Sequence, residues 1–571
     1  MYPAWYVNGN SRVFIVWYAI DILYQKETKR GLTMFCYQCE ETVKGTGCTV
    51  KGVCGKEDAI AAYQDVLIFL CKGISIRNLA AMKRGNGNSD AGLFIAEALF
   101  STLTNVNFDK ARFTNLINNA VAIRDALPAS GSHEPDACTW APKGDSDILE
   151  KAKSAGTLAT AHEDVHSLRS TLVFGLKGIA AYYTHAAVLG KTDTSITTFI
   201  QKALASTLKD LAVPDMVALV LECGSTGVSV LALLDEANTS AFGKPEVTSV
   251  RTSVGNRAGI LITGHDLKDL DMLLAQSKDA GVDVYTHGEM LPAHAYPTFK
   301  KYPHLYGNYG GSWVHQREEF EQFNGPVLFT TNCLVPPKDS YKGRVYTTGL
   351  VGYPGTTHIV ASKDGKKDFS QLIAYAKTCQ PPNALPGSGS DLVTGCGHDA
   401  VLALADKVVT AVKNGDIRRF IVMAGCDGRQ KEREYYTEFA QSLPKDTVIL
   451  TAGCAKYRYN NLGLGSIGGI PRVIDAGQCN DCYSLVVIAQ ALARAFGVGI
   501  NDLPVSYNIA WYEQKAVLVL LALLSLGVKN ITLGPKLPAF VSPAVLDVLV
   551  QQFDLKPNTT VQADLARMVP V

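Results

Sequence analysis

The sequence predicts a mixed α and α/β protein. An N-terminal helical-bundle domain is followed by two Rossmann-like parallel α/β domains, with a metal site at the carboxyl ends of their strands. Three observations predict this. Residues 56–245 read mostly as helices. After about residue 250, short β-branched runs alternate with helical patterns, as in a mostly parallel sheet. Six of those runs end in a His, Glu or Cys within about three residues, at the edge where open α/β sheets bind ligands.

The first element is CYQCEETVKGTGCTVKGVC, Cys36 to Cys54, with four thiols spaced C-x₂-C-x₈-C-x₅-C. Disulfides, zinc and an iron–sulfur cluster are the alternatives. Residues 1–33 lack the order of a secretory signal: their apolar patch, Val13–Tyr24, is interrupted by Asp21 and precedes its basic residues. The patch is also shorter than the ~20 residues that span a bilayer. A soluble cytoplasmic protein follows, and there thiols stay reduced. Only one CxxC knuckle is present, where structural zinc usually has two. Gly45, Gly47, Gly52 and Gly55 let the backbone wrap and aim amides at sulfur, which favours a cluster. Spacing alone leaves both metals open.

Composition fits a large soluble protein. The 571 residues are 47% hydrophobic, enough for several cores. Net charge is +1, with 54 basic against 53 acidic residues, which excludes a global field for nucleic acid or anionic membrane.

The helical region contains one clear stripe, Leu168, Leu172, Leu176, Ile179 and Tyr183. In the α/β region AGILIT leads to His265, VDVYT to His287 and Glu289, and PVLFTT to Cys333. Past the Pro/Gly/Ser stretch 381–390, RFIVMA leads to Cys426, TVILTA to Cys454 and PRVIDA to Cys479. Glycine-flanked Cys and His can simply cap strands, but six such ends together describe a second metal site. Its mixture of imidazole, carboxylate and thiolate suits neither a plain ferredoxin cluster nor zinc alone.

Three motifs compete with this reading. His162-Glu163-Asp164-Val165-His166 spells the zinc-peptidase H-E-x-x-H, yet Thr160 and Glu163 form a T-x-x-E capping box that makes the segment a helix start. Gly463–Gly468 spells G-x-G-x-x-G, but its preceding strand ends about ten residues earlier and Asp475 follows too soon for a dinucleotide site, so a glycine-rich loop is expected. Glu513 and Lys515, two apart, serve one site only if the backbone is irregular there; otherwise they are a solvated pair at a helix start.

Taken together, MFCYQCEETVKGTGCTVKGVCGK, GHD, THGEM, TNCLVPP, GCDGR, TAGCAKYRYN, DAGQCND and WYEQKAV resemble the hybrid-cluster protein family, also called prismane or hydroxylamine reductase proteins. The resemblance runs from Met34 essentially to the C-terminus. It implies a [4Fe-4S] cluster on Cys36, Cys39, Cys48 and Cys54. It also implies a hybrid [4Fe-2O-2S] cluster on His265, Glu289, Cys333, Cys426 (as a persulfide), Cys454, Cys479 and Glu513, with Lys515 beside it. Glu289, Glu513 and Lys515 are then the residues expected to act on substrate.

The implied activity is reduction of hydroxylamine to ammonia and water, with electrons from a ferredoxin-like or flavoprotein donor. Nitric oxide reduction and protein S-nitrosylation would use the same ligands; a zinc metallopeptidase through His162, Glu163 and His166 is the minor alternative. The expected division is 1–33 an extension (an upstream start or a disordered leader, expected to be dispensable), 34–248 the cysteine motif and bundle, 249–390 the first α/β domain and 391–571 the second. Cys482, which forms a CxxC with Cys479 where the family suggests a small residue, is expected to pack in the first turn of a helix capped by Asn480 or Asp481.

Overall fold

Seven helices follow the cysteine motif: α1 (Asp58–Lys83), α2 (Ser89–Ser101), α3 (Lys110–Ala126), α4 (Asp145–Ala155), α5 (Glu163–Val188), α6 (Thr194–Ser206) and α7 (Val213–Phe242). The computed structural model describes residues 34–570, so the expectation for residues 1–33 lies outside it. Asn88, Asp109 and Asp193 cap α2, α3 and α6 by accepting first-turn backbone N–H groups. The single stripe expected on α5 understates its environment. Nearly every residue from Ser167 to Ala186 is buried, because α2, α6, α7 and the distant α8 (Gln514–Ser525) all pack on it.

α8 fits among these helices because small residues face it. A Cβ on Gly224 of α7 would lie 2.1 Å from the Leu521 carbonyl oxygen, and one on Gly178 of α5 would lie 2.6 Å from the Leu518 Cβ. Gly224→Ala is therefore expected to lower stability by about 1–3 kcal/mol through overpacking. A thermal melt checks this; an unchanged Tm would mean that α8 shifts freely.

By length and composition α1 and α7 would also cross a bilayer. The apolar stretch of α1 is 78% buried, as befits a core helix, whereas that of α7 is 39% buried.

The rest of the chain builds two six-stranded sheets, parallel throughout. The first contains β1 (Gly259–Thr263), β2 (Asp283–His287), β3 (Leu305–Asn308), β4 (Val327–Phe329), β5 (Val345–Thr348) and β6 (Thr357–Ile359) in the order β3-β2-β1-β4-β5-β6. The second contains β7 (Arg419–Val422), β8 (Thr447–Thr451), β9 (Val473–Asp475), β10 (Val505–Ala510), β11 (Ile531–Gly534) and β12 (Lys556–Pro557) in the order β9-β8-β7-β10-β11-β12. β1 and β8 are buried at every residue, the pattern of a parallel strand covered on both faces. An antiparallel ribbon, Thr248–Val250 with Leu392–Thr394, joins the ends of the first sheet region beside the 381–390 loop. The G-x-G-x-x-G stretch runs into a short hairpin, Ser466–Ile467 with Ile470–Pro471, and opens no helix.

The carboxyl rims of the two sheets meet. Tyr457 donates its hydroxyl to the Gly288 carbonyl at 2.8 Å, Ser312 donates to Asp427 at 2.5 Å, and the N-terminus of α8 closes the remaining side.

Candidate metal centres

At the strand ends a glycine repeatedly precedes the chemical side chain, and geometry explains why. Gly425 (φ +114°) and Gly453 (φ +89°) occupy left-handed backbone, and a Cβ on either would strike a neighbouring strand, at 2.0 Å from the Ala510 oxygen and 2.4 Å from the Gly425 oxygen. The chain thus crosses the rim tightly and delivers Cys426 and Cys454 into the interface. Both are buried, and burial pushes both thiols up. The Asp427 backbone N–H points at the Cys454 sulfur, 3.1 Å away.

His265, Glu289 and Cys479 offer donor atoms that all lie within 4.8 Å of one another. His265 Nε2 is 3.6 Å from Glu289 Oε2, and that oxygen accepts the Cys479 N–H at 2.7 Å. The Thr331 hydroxyl donates to the Asn332 carbonyl and stands 2.9 Å from His265 Nδ1. Nδ1 therefore carries the proton, and the Nε2 lone pair faces the interface, the arrangement a metal-binding imidazole needs. Burial, then the Lys515 charge, holds His265 down at about 4.

Glu513 and Lys515 do meet, and the backbone is irregular as their pairing requires. Glu513 is extended (φ −134°, ψ −174°) and caps α8 by accepting the Lys515 N–H at 2.8 Å. Neither is solvated: each is 2% exposed. Lys515 Nζ donates to Asn332 Oδ1 at 2.9 Å and lies 3.1 Å from His265 Nε2 and 3.7 Å from Glu513 Oε1. Burial opposes its charge, but Cys479, Glu513, Cys333 and Glu289 around it raise its pKa above the ordinary lysine value. Cys333 is half-buried beside Asn332, whose amide reaches both the Cys333 sulfur (3.6 Å) and Glu513 (3.4 Å).

The four N-terminal cysteines lie on one loop folded back on itself. Cys48 donates its N–H to the Cys36 carbonyl at 2.7 Å, and Phe35 donates to the Cys48 carbonyl at 2.9 Å. Burial pushes Cys54 up to about 11, while the Lys56 charge and its backbone N–H act in the opposite direction. The loop is fastened to the rim site. Glu40 N–H donates to the Tyr512 carbonyl, Gln514 Nε2 to the Gln38 carbonyl, and Arg433 joins Glu40 (3.2 Å) to the carbonyls of Cys426 (2.9 Å) and Trp511 (2.6 Å).

Both donor sets fit iron–sulfur groups. Four thiols on one short loop suit a cubane cluster. At the rim, thiols, an imidazole and two carboxylates converge, and Glu289 Oε1 is buried with no hydrogen-bond partner among the described residues, an oxygen left for a cation. Fold and sites thus define an iron–sulfur redox protein.

Comparisons with known proteins agree. The model of the Prismane/CO dehydrogenase family matches residues 34–566. A hydroxylamine reductase of Nitratidesulfovibrio vulgaris is 59% identical over 554 residues, covering 94% of this chain and 100% of that protein. The hydroxylamine reductase of Thermoanaerobacter pseudethanolicus is 58% identical over 543 residues, covering 94% and 99%. Among solved structures, carbon monoxide dehydrogenase IV from Carboxydothermus hydrogenoformans shares the fold at 15% identity, with a TM-score of 0.55 over 95% of this chain and 94% of that one. The chain belongs to the Prismane/CO dehydrogenase family.

H-E-x-x-H forms no metal site. His162 is itself the cap of α5, with Nδ1 3.5 Å from the Val165 N–H, while Thr160 instead faces Arg169. The helix start was expected; the Thr160 capping box is not what makes it. His166 points elsewhere, with Nε2 2.7 Å from the Tyr37 hydroxyl. His166→Ala should leave iron content and turnover intact and cost about 1 kcal/mol for the lost buried hydrogen bond. Loss of iron in that variant would reinstate the histidine as a ligand. The expected cap of the helix after Cys479 is also revised: Asp481 accepts the Gln478 N–H at 2.6 Å, closing the turn that holds Cys479, while the helix Cys482–Phe496 starts without a side-chain cap.

Sequence reasoning missed Gln478 and Asn332 as organisers. Gln478 Nε2 donates to the carbonyls of His265 (3.2 Å) and Glu289 (2.8 Å), strapping one sheet's rim to the other's. The available signal was an amide side chain immediately before a metal-competent cysteine, at Gln478-Cys479 and at Asn332-Cys333.

Proposed function

We propose that the chain is a hydroxylamine reductase, converting hydroxylamine with two electrons and two protons to ammonia and water. The observation that carries the reading is the buried group of His265, Glu289 and Cys479 beside the Lys515 ammonium, with Cys333, Cys426, Cys454 and Glu513 as the other four of seven candidate donors, in a chain whose 58–59% identical relatives are named for that activity. In this reading those seven hold the hybrid cluster, with Cys426 as a persulfide, and Cys36, Cys39, Cys48 and Cys54 hold the [4Fe-4S] cluster. Bound there, the hybrid cluster would supply electrons to the N–O group.

The protein's own residues do the rest. Glu289 and Glu513 would hold the group through their carboxylate oxygens, of which Glu289 Oε1 is buried with no hydrogen-bond partner among the described residues. Thr331 fixes the His265 ring. Lys515, held by Asn332, presents a proton where a leaving hydroxyl would take it. The Glu40–Arg433 contact and the Gln38–Gln514 contact keep the cysteine loop against the rim, so a cluster held by Cys36–Cys54 would lie on the rim site's side of that loop. A ferredoxin-like or flavoprotein donor, a cytoplasmic location and the division at residues 248 and 390 complete the proposal.

Steady-state kinetics of the purified protein on hydroxylamine and on nitric oxide test it. Turnover confined to nitric oxide would overturn the substrate assignment. Lys515→Met is expected to lower hydroxylamine turnover about 10²–10⁴-fold, the range of general acid catalysis, at unchanged iron content. A loss below tenfold would remove Lys515 from proton delivery.

A further inference from the structure

Beside the cysteine loop lies a concentration of buried positive charge that the reaction scheme above does not use. Lys56, Lys72 and Lys177 are 5%, 6% and 3% exposed. Lysine is almost never buried so deeply without a negative partner. Asp65, on α1, is the half-buried carboxylate whose charge acts on all three. None of the three lysines has an ion pair within 4.0 Å among the described residues. Lys56 donates to Gln64 Oε1 at 2.9 Å and Lys177 to Gln38 Oε1 at 2.8 Å, both neutral acceptors. One half-buried carboxylate thus stands against three buried lysines.

The missing counter-charge is on the cysteine side. Lys56, Asp65 and Lys177 line one small cavity with Cys36, of about 30 Å³. Lys177 reaches the same loop through Gln38, which lies between Cys36 and Cys39. A cluster carried by four thiolates is anionic and gains a further negative charge on reduction. Fixed cations at this depth stabilise the reduced form more than the oxidised one, because Coulomb energies grow as the dielectric falls.

We propose that the buried ammonium groups of Lys56 and Lys177 set the redox poise of the Cys36–Cys54 cluster, raising its reduction potential so that it accepts electrons readily from a donor. The inference rests on the assignment of a cluster to that quartet. Both lysines are positioning residues, since they act through the cluster and touch no substrate. Lys177 lies on α5, outside the quartet's loop, and meets that loop through the Gln38 side chain.

The test is an anaerobic potentiometric titration of the holoenzyme, following the paramagnetic signal of the reduced [4Fe-4S] cluster. Lys177→Met, which keeps length and removes charge, is expected to shift the midpoint to more negative potential with iron and sulfide unchanged. Lys177→Arg is expected to stay near the parent value. Lys56→Gln serves as the second variant and should shift the potential in the same direction. Unchanged midpoints in Lys177→Met and Lys56→Gln would overturn the proposal, as would loss of the cluster from both, which would make the lysines structural. Absence of the signal from the unmodified enzyme would instead overturn the cluster assignment itself, a distinguishable failure.

Discussion

Cys479→Ala is expected to abolish assembly of the hybrid cluster and with it hydroxylamine turnover, while the visible absorbance of the N-terminal cluster survives. The Cys479 sulfur lies with His265 Nε2 and a Glu289 oxygen inside one 4.8 Å group, and Tyr182 directs its hydroxyl to it at 3.4 Å. Alanine keeps the backbone N–H that holds Glu289, so the substitution removes the sulfur and little else. Its neighbour gives the contrast. Cys482 opens the following helix and lines an apolar cavity of about 60 Å³ with Leu231, Ala424 and Leu450. There it acts as a small hydrophobe, and Cys482→Ala should cost about 1 kcal/mol or less with iron retained. Iron and sulfide analysis of the two variants decides the matter. Equal losses in both would make Cys482 a ligand too.

Cys39→Ser should have the opposite spectral outcome, removing the [4Fe-4S] cluster and about half of the iron while the hybrid cluster assembles. A serine hydroxyl stays protonated where a thiolate would bind iron, and Cys39 is buried among the other three thiols. The contacts that secure the rim site do not involve the Cys39 sulfur. They run through the Gln38 carbonyl, the Glu40 carboxylate and Arg433. Turnover with a protein donor should collapse, whereas a small chemical reductant that reaches the hybrid site directly should restore part of it. Disappearance of both clusters in parallel would show that the sites assemble as one unit.

Much of the fold was legible because most strands that carry a donor are short β-branched runs stopped by glycine. Gly425-Cys426 and Gly453-Cys454 announce both the strand end and the direction of the next side chain. Glu513 and Lys515 were not legible from spacing. On a regular helix they diverge, and only the extended cap conformation of Glu513 brings both into one site. The Thr160 box misled because a four-residue pattern does not say which of two adjacent polar residues takes the cap, and His162 takes it. The all-round burial of α5 was hidden for a different reason: α8, which covers one of its faces, comes more than three hundred residues later. Gln478 and Asn332 act across the interface between sheets, and such contacts leave no local periodicity to read.

The order of the rim donors along the chain, from His265 to Glu513, bears on how the enzyme is made. At a ribosomal rate of about 5–20 residues per second, Cys36–Cys54 emerges on the order of 20–90 s before Glu513 is synthesised. The first four thiols are thus exposed as a nascent ligand set, open to loading by a general iron–sulfur carrier. The second set has no complete form until translation is nearly over and both sheets have docked against α8. Maturation is therefore expected to run in two stages, with the rim cofactor inserted into an almost finished protein, and iron starvation during growth should accumulate chains bearing the first cluster alone.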